Sequence, residues 1–320
     1  MSLTLIPKPP LPMFIETCTP LAIIDSLEKE ISNRVATITN ALLGYSSDED
    51  PATNLTRFLK ADKDFLGIVL ALTNLSQEKF LRILSAERFS HGDYGLEWNS
   101  DVVHRKIRNE EGFAEKLALL FLDGRNNPLL AQLVAPFYLE QLSLAENWDT
   151  IIHDPLLVQK AVRQKLEGEY TDKKGDAIES IIRIQLDLIE AKYGVTHTKG
   201  QVSLVGKEVD HVIPSISDPW VMIMTSYMET TSSSQTARAN EQSEMYGTIQ
   251  GKNRRYGTQH IFINFVDGAG WLARRPDLRK LHAGCDFILN LKTLNCLEAI
   301  VCKNIPEKYF TVQPRPEVEG

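Results

Sequence analysis

Length, composition and charge set the outer bounds of the protein. The chain has 320 residues, 43% hydrophobic and 24% charged, with a net charge of −7, as in an ordinary globular protein of one large domain or two. No apolar run reaches membrane-spanning length, and the N-terminal MSLTLIPKPPLPMF lacks the basic flank and long apolar core of a signal peptide. Four cysteines without a CxxC pair indicate reduced thiols. We therefore expect a cytoplasmic protein that is not associated with a membrane.

The acidic residues are unevenly distributed along the chain. From residue 171 onward, basic and acidic residues number 18 each, so all of the excess acid lies in the first 170 residues. Binding to DNA depends on a local basic surface rather than on the net charge. The charge balance thus neither supports nor excludes a nucleic-acid partner.

Residues 1–170 are predicted to form a helical N-terminal region. A proline-rich lead comes first, an acidic loop is predicted at 46–51, and Ser76 fits an N-cap. Polar residues in this region show no catalytic spacing. Apolar residues at three- and four-residue steps predict helices over 21–43, 77–89, 113–122 and 128–142.

Residues 171–320 are predicted to form an α/β sandwich around a mixed sheet. A polar stretch at 169–175 is interpreted as a linker before a helix from Asp176 to about Tyr193. Two apolar strands follow, near Val209 and Val221, separated by turn-forming residues at 217–219. After them are predicted a helix from Ser234, a basic loop at 252–255, a buried strand over 259–266, a helix over 276–283 and short apolar segments at 287–291 and 296–302.

An acid inside the first of these strands requires an explanation. A carboxylate such as Asp210 is costly to bury in an apolar strand unless it is paired or holds a metal. The alternative is an exposed strand residue, with Glu208 on the same face. By strand alternation His211 is predicted to point to the opposite face and to pack there.

Five segments of the second half resemble type II restriction endonucleases of the PD-(D/E)XK superfamily, most closely the DpnII and MboI group. In family order they are GDAIES, KEVDHVI, a second strand ending in SY, SSSQTARANE, and FINFVDGAGW followed by LHAGCDFILNL, over about residues 170–300. In the first half, NLSQEKFLRIL shows a weaker likeness to restriction enzymes. The resemblance implies a restriction-endonuclease-like mixed sheet flanked by helices.

The resemblance also implies a function. It is that of a sequence-specific endonuclease of a restriction-modification system, hydrolysing double-stranded DNA with Mg²⁺-activated water in a bacterial-type cytoplasm. A homodimer is expected, because a palindromic site is matched by a twofold dimer. Two alternatives stay open: a non-catalytic DNA-binding protein on the same fold, and a nuclease acting on RNA or structured DNA.

The family pattern assigns candidate catalytic acids. It has an Asp on the first strand, a Glu and a third polar residue two apart on the second, and often a Glu on the preceding helix. Asp210 and Glu179 match the first and last of these positions, as metal-holding acids. The second strand departs from the pattern, since the aligned residues are Ile223 and Thr225. Glu229 is the nearest acid downstream, but it lies roughly 20 Å along the strand from Ile223 and is the weaker third candidate.

Alternative roles exist for two of these acids. Glu179 stands three residues after Asp176, so the pair also fits a capping box at a helix start. Glu229 also fits a solvated strand end.

DNA contacts are predicted at the start of the helix after the second strand and in two basic segments. Ser234, Gln235 and Arg238 open that helix, where backbone N–H groups and short side chains can reach a phosphate or a base edge. For the basic segments, phosphate contact and ordinary surface charge are both open. Their residues are Lys252, Arg254, Arg255, Arg274 and Arg275.

Overall fold

The computed structural model describes residues 3–45 and 49–319. The chain divides into two compact units, Asp25–Thr171 and Met1–Ile24 with Asp172–Gly320. The N-terminal segment is thus part of the unit formed by the second half of the chain. Part of the predicted acidic loop, residues 46–48, lies outside the described residues. No described helix is long and apolar enough to cross a membrane.

Helices and strands are numbered along the chain. The helices are α1 (Leu11–Thr17), α2 (Asp25–Leu43), α3 (Pro51–Ala61), α4 (Phe65–Leu72), α5 (Gln77–Ser90), α6 (Ser100–Asn109), α7 (Phe113–Asp123), α8 (Leu130–Leu133), α9 (Pro136–Leu139), α10 (Trp148–His153), α11 (Pro155–Tyr193), α12 (Gln235–Tyr256), α13 (Ala269–Ala273), α14 (Arg275–Ala283) and α15 (Leu297–Asn304). The strands are β1 (Leu3–Thr4), β2 (Thr198–Val202), β3 (Lys207–Ser215), β4 (Asp218–Tyr227), β5 (Ile261–Asp267), β6 (Phe287–Leu289) and β7 (Val318–Glu319).

The unit Asp25–Thr171 is helical, as predicted, and its described residues contain no strand. Its core is built from apolar helix faces, with Phe58, Phe80 and Phe121 among the fully buried side chains. Helix α5 begins as predicted, because Ser76 Oγ accepts a hydrogen bond from the backbone N–H of Lys79.

The single helix predicted over 128–142 is wrong. The segment forms two short helices, α8 and α9, and Pro136 is the first residue of the second. A proline has no N–H and disfavours the helical conformation in the residue before it, so the first helix ends ahead of it.

The other unit is built on a five-stranded mixed sheet of order β2-β3-β4-β5-β6. Strands β2, β3 and β4 pair antiparallel, whereas β4, β5 and β6 pair parallel. Helix α12 follows β4 and leads to β5, and α13 and α14 lie between β5 and β6. The predicted α/β sandwich around a mixed sheet is confirmed. The short strands β1 and β7 pair in a separate two-stranded sheet.

Two apolar cores cover the two faces of the five-stranded sheet. On one face, Ile182 of α11 belongs to the same buried cluster as Ile213 and Ile223. On the other face, Met222 and Phe262 belong to a cluster with side chains of α1, α12 and α14. The alternation of side chains along each strand assigns neighbouring residues to different cores.

Two predicted loops are helical instead. The polar stretch 169–175 lies within α11, where Lys174 is buried and donates to Glu229 Oε1 at 2.7 Å. The basic segment 252–255 is the C-terminal end of α12, which ends before Gly257 at φ +67°. Both predictions were based on the polarity of a short stretch. Polarity does not reveal the distant partner of Lys174, and it does not show that α12 continues to the glycine that ends it.

Candidate active site

A β-bulge places Asp210 and His211 beside one residue of the edge strand. The pairing of β2 with β3 shifts register, so that Asp210 and His211 both lie opposite Lys199. A bulge changes the direction of side chains that strict alternation would separate. His211 is buried, as expected of a packed residue, and it lines a cavity together with Lys199, whose ammonium also lies near Asp210.

One ammonium joins the two acids predicted to hold a metal. Lys199 Nζ donates to Glu179 Oε1 at 2.7 Å and lies 3.8 Å from Asp210 Oδ1. Asp210 Oδ2 accepts a hydrogen bond of 2.7 Å from the backbone N–H of Thr225. Helix α11 and strands β2, β3 and β4 thus meet at this group, and each contributes one residue.

The second strand supplies no carboxylate to this group at the aligned positions, as the sequence indicated. Ile223 pairs with His211 across the strands and is 1% exposed in the core beneath α11. Thr225 contributes its backbone N–H to Asp210, while its hydroxyl is buried. Any metal site here depends on acids from β3 and α11.

The protonation equilibria of the site reflect burial and crowding of negative charge. Burial raises the pKa of Asp210, and the charge of Glu179 adds to the rise, while the Thr225 N–H and Lys199 lower it. The hydrogen bond to Glu179 raises the pKa of Lys199. Burial lowers the pKa of His211 to about 4, so its imidazole is neutral at neutral pH. An acid whose pKa is raised in this way favours a cation bound beside it.

A cavity of about 200 Å³ opens at this group. His211 is 4% exposed, and its Nε2 atom has no hydrogen-bond partner among the described residues. A buried polar atom is costly to leave without a partner, and His211 Nε2 is such an atom beside this cavity. The lining residues are Asp176, Glu179, Ser180, Arg183, Lys199 and His211.

The capping-box alternative for Glu179 is excluded. A capping box requires the free N–H groups of a first helical turn. Glu179 and Asp176 lie far inside α11, which begins at Pro155. The structure gives Glu179 a different partner, the ammonium of Lys199.

The third candidate acid, Glu229, lies outside this cavity. It follows the end of β4, and its Oε1 accepts hydrogen bonds from the buried Lys174 at 2.7 Å and from the hydroxyl of Tyr227. These contacts make it a structural partner of α11. The structure does not bring its carboxylate into the cavity beside Glu179 and Lys199.

The predicted DNA-contact residues differ in how free their side chains are. Gln235 is fully buried and its Oε1 accepts from the backbone N–H of Ser232, so it does not reach the surface. Lys252 Nζ donates to the carbonyl oxygen of Leu204 at 2.7 Å. The exposed members are Ser234, Arg238, Arg254, Arg255 and Arg275.

Arg274 has a structural role between two helices. Its guanidinium donates to Asp277 Oδ2 at 3.2 Å and to the hydroxyl of Thr236 at 2.9 Å. Thr236 also donates to Asp277. The network links the first turn of α12 to the start of α14, so Arg274 is less available to a phosphate than its neighbour Arg275.

Two features were missed by the sequence analysis. The first is Lys199, because no strand was predicted at 198–202. The second is a group with metal-ligand spacing, Asp187, Glu190 and His197, whose ligand atoms lie within 4.8 Å of one another. His197 Nε2 lies 2.9 Å from Asp187 Oδ1. The three-residue spacing of the acids on α11 is readable from sequence, whereas the approach of His197 is not.

The fold indicates a class of protein. A five-stranded mixed sheet flanked by helices, with a helical N-terminal region, is consistent with a restriction-endonuclease-like fold. Residues 157–299 match the model of the DpnII restriction endonuclease family. The resemblance to the DpnII group is thereby confirmed, and the match supports a restriction endonuclease, that is, a nuclease and hydrolase. Comparisons with curated proteins and with solved structures give no match.

Proposed function

We propose that the protein is a type II restriction endonuclease that cleaves double-stranded DNA at a specific sequence with Mg²⁺. The observation that carries the proposal is the convergence of Asp210 and Glu179 on one cation. Both acids lie in the segment that matches the DpnII family. Asp210 and Glu179 are the metal-holding acids of this function. Glu229 is not one of them, because its carboxylate accepts a hydrogen bond from Lys174.

The donor set at the site fits Mg²⁺. This ion is commonly bound by one or two carboxylates together with water. Asp210 and Glu179 both contact one cation, the ammonium of Lys199, and Glu179 and Lys199 line a cavity of about 200 Å³. A bound Mg²⁺ supplies charge neutralisation at the phosphate and activation of water. The Thr225 N–H fixes one oxygen of Asp210 and leaves the other facing Lys199.

The exposed arginines of the same unit support a DNA partner. Arg254 and Arg255 lie in the last turn of α12, and Arg275 is the first residue of α14. Arginine at such positions is suited to phosphate oxygens. A homodimer on a palindromic site remains a prediction, and the mass of the complex with DNA would test it. A cytoplasmic location also remains a prediction.

One observation favours a second function, that of a non-catalytic DNA-binding protein. The second strand has Ile223 and Thr225 where the family pattern has a Glu and a further polar residue. A protein that had lost the reaction would bind DNA and leave it intact.

The test is cleavage of phage DNA by the purified protein in Mg²⁺, with the fragment ends sequenced. We expect discrete fragments with a common end sequence, and none when the metal is chelated. Asp210→Asn should abolish cleavage while leaving DNA affinity within about tenfold, because a metal-holding acid acts mainly on the transition state. Binding without cleavage over a range of metals would support the non-catalytic protein, and preferential cleavage of RNA would support a different nuclease.

A further inference from the structure

We infer that Lys199 supplies the positive charge of the reaction centre. Its ammonium lies between Glu179 and Asp210, and with a divalent metal bound by those acids it would be placed to contact the DNA phosphate. This inference rests on the proposed function. It gives a residue of the edge strand β2 a part in the reaction.

The backbone fixes Lys199 next to the two acids. The register shift between β2 and β3 sets it opposite Asp210 and His211. Glu179 approaches from α11 and accepts its hydrogen bond at 2.7 Å. Because these contacts come from three elements of one folded unit, the ammonium is held where a metal ion bound by the same acids would bind.

The side chain of Lys199 has open space around its ammonium. It is 49% exposed, and it lines the cavity of about 200 Å³. A lysine carries a point charge on a flexible four-carbon stem, so a small change of rotamer moves the ammonium without disturbing the strand. Arg183 lines the same cavity and adds a second positive charge on the side of α11.

Charge balance gives the direction of the movement. Two carboxylates share the ammonium of Lys199. If the same oxygens held a divalent cation, like-charge repulsion would disfavour these contacts of the ammonium. Lys199 would then be free to contact a DNA phosphate oxygen and to stabilise the charge that develops there in the transition state.

Neither aligned residue of β4 can take this part. The backbone N–H of Thr225 is bonded to Asp210, and its hydroxyl is buried. Ile223 is enclosed in the core beneath α11. Of the cavity-lining residues, Lys199 is the one whose ammonium contacts both acids.

The experiment compares Lys199→Met with the wild type in two measurements. Divalent-metal binding is measured by calorimetry with Mn²⁺ and Mg²⁺ in the absence of DNA, and cleavage is measured at saturating Mg²⁺. We expect Lys199→Met to bind metal several-fold more tightly, since the competing ammonium is gone. We expect it to cleave about 10²-fold more slowly or worse, the loss typical of one transition-state contact. Circular dichroism checks that the variant is folded.

Lys207→Met is the matched control. Lys207 begins β3, is 53% exposed and pairs with Glu241 at 2.9 Å, outside the cavity. It should change neither metal affinity nor cleavage. Lys199→Arg restores the charge and should recover part of the rate.

Two results would overturn the inference. Wild-type cleavage by Lys199→Met at saturating Mg²⁺ would leave the lysine as an ion-pair partner alone. Unchanged or weaker metal binding would show that its ammonium does not compete for the two acids. If the wild-type protein cleaves no DNA, the proposed function fails, while the calorimetric comparison still decides whether Lys199 and the metal share a site.

Discussion

Asp210 is held in a position where its ionised carboxylate is costly to the fold. Its carboxylate is largely buried at a bulge, close to the charge of Glu179. Burial without full compensation raises the free energy of the ionised form. Such a position is expected where the charge is used by a ligand, because a purely structural acid would gain stability from complete pairing.

The stability of Asp210→Asn tests this view at the residue scale. The folded-state pKa of Asp210 is raised by burial, so the folded protein binds this proton more tightly than the unfolded chain does. The ionised carboxylate therefore lowers stability above that pKa, and the effect vanishes as the pH falls below the ordinary value. We expect Asp210→Asn to unfold in urea at a higher midpoint than wild type at pH 7, with the difference disappearing at acid pH.

Asp218→Asn is the control of opposite sign. A hydrogen bond from Tyr309 and the charge of Lys308 lower the pKa of Asp218. Its ionised form stabilises the fold at neutral pH, and that contribution is lost as the pH falls through the folded-state pKa. The variant should thus be less stable than wild type at pH 7. An equal loss of unfolding free energy in both variants at pH 7 would contradict the conclusion that the ionised carboxylate of Asp210 destabilises the fold.

Glu179→Gln tests whether the helix acid takes part in the reaction. Replacing the carboxylate by an amide keeps the size and removes the charge that gathers the cation. We expect cleavage to fall by at least about ten- to a hundredfold. Unfolding stability should stay within about 0.5 kcal/mol, because Glu179 is a partly exposed mid-helix residue.

The matched substitution is Glu190→Gln on the same helix. Glu190 lies 3.7 Å from His197 Nε2 and does not line the cavity. Cleavage by this variant should equal that of the wild type. Full activity of Glu179→Gln in the same assay would exclude a metal-holding role for the helix.

At the scale of elements, the sequence predicted the hairpin of β3 and β4 and the helix after it. Val209, Ile213 and Val221 are β-branched and flank turn-forming residues, a signal that lies within one short stretch. The same local signals give no strand at β2, whose residues are mostly exposed and show no apolar alternation. Its strand form comes from pairing with the edge of β3. Lys199 was missed for that reason.

Helix α11 was divided in the prediction for a similar reason. The stretch 169–175 is polar, follows Gly168 and ends with Gly175, which favours a break. In the structure Lys174 donates a hydrogen bond to Glu229, which is 55 residues away in the sequence, and Gly175 is helical. Long-range partners of this kind leave no local pattern. The capping box proposed for Glu179 was an artefact of the same break.

Gly268 fixes the end of β5 against the segment that carries Glu229. It has φ +102°, and a Cβ atom placed there would lie 2.2 Å from the carbonyl oxygen of Met228. A strained φ of this kind costs about 1–3 kcal/mol, and the backbone clash adds to it. We expect Gly268→Ala to lower the unfolding free energy by about 3 kcal/mol, measured by urea denaturation.

Gly251→Ala provides the comparison. Gly251 is helical in α12, and a Cβ atom there meets nothing within 4 Å. Alanine is favoured over glycine inside a helix by about 0.8–1 kcal/mol, so this variant should be stabilised. A Gly268→Ala protein as stable as the wild type would show that the segment after β4 can move aside.

For the whole molecule, the net charge of −7 is compatible with DNA binding only if positive charge is concentrated on one surface. The helical unit holds most of the excess acid, and the matched segment contains the exposed arginines. The structure shows which of these arginines have side chains exposed to solvent, where a phosphate could reach them. Arg274 is bound to Asp277 and Thr236, whereas Arg254, Arg255 and Arg275 are exposed.

The dependence of DNA affinity on salt tests this assignment. Each arginine that neutralises a phosphate contributes about one unit to the slope of log affinity against log salt. Arg254→Ala, Arg255→Ala and Arg275→Ala should each flatten the slope by about one unit and weaken binding to specific and random DNA alike, whereas Arg274→Ala should act mainly on stability. Arg125→Ala is the control, since Arg125 pairs with Glu146 in the helical unit. An unchanged slope in the triple variant would show that these three arginines do not contact phosphates, because each phosphate contact releases counterions from DNA and so contributes to the slope. They would then be ordinary surface residues.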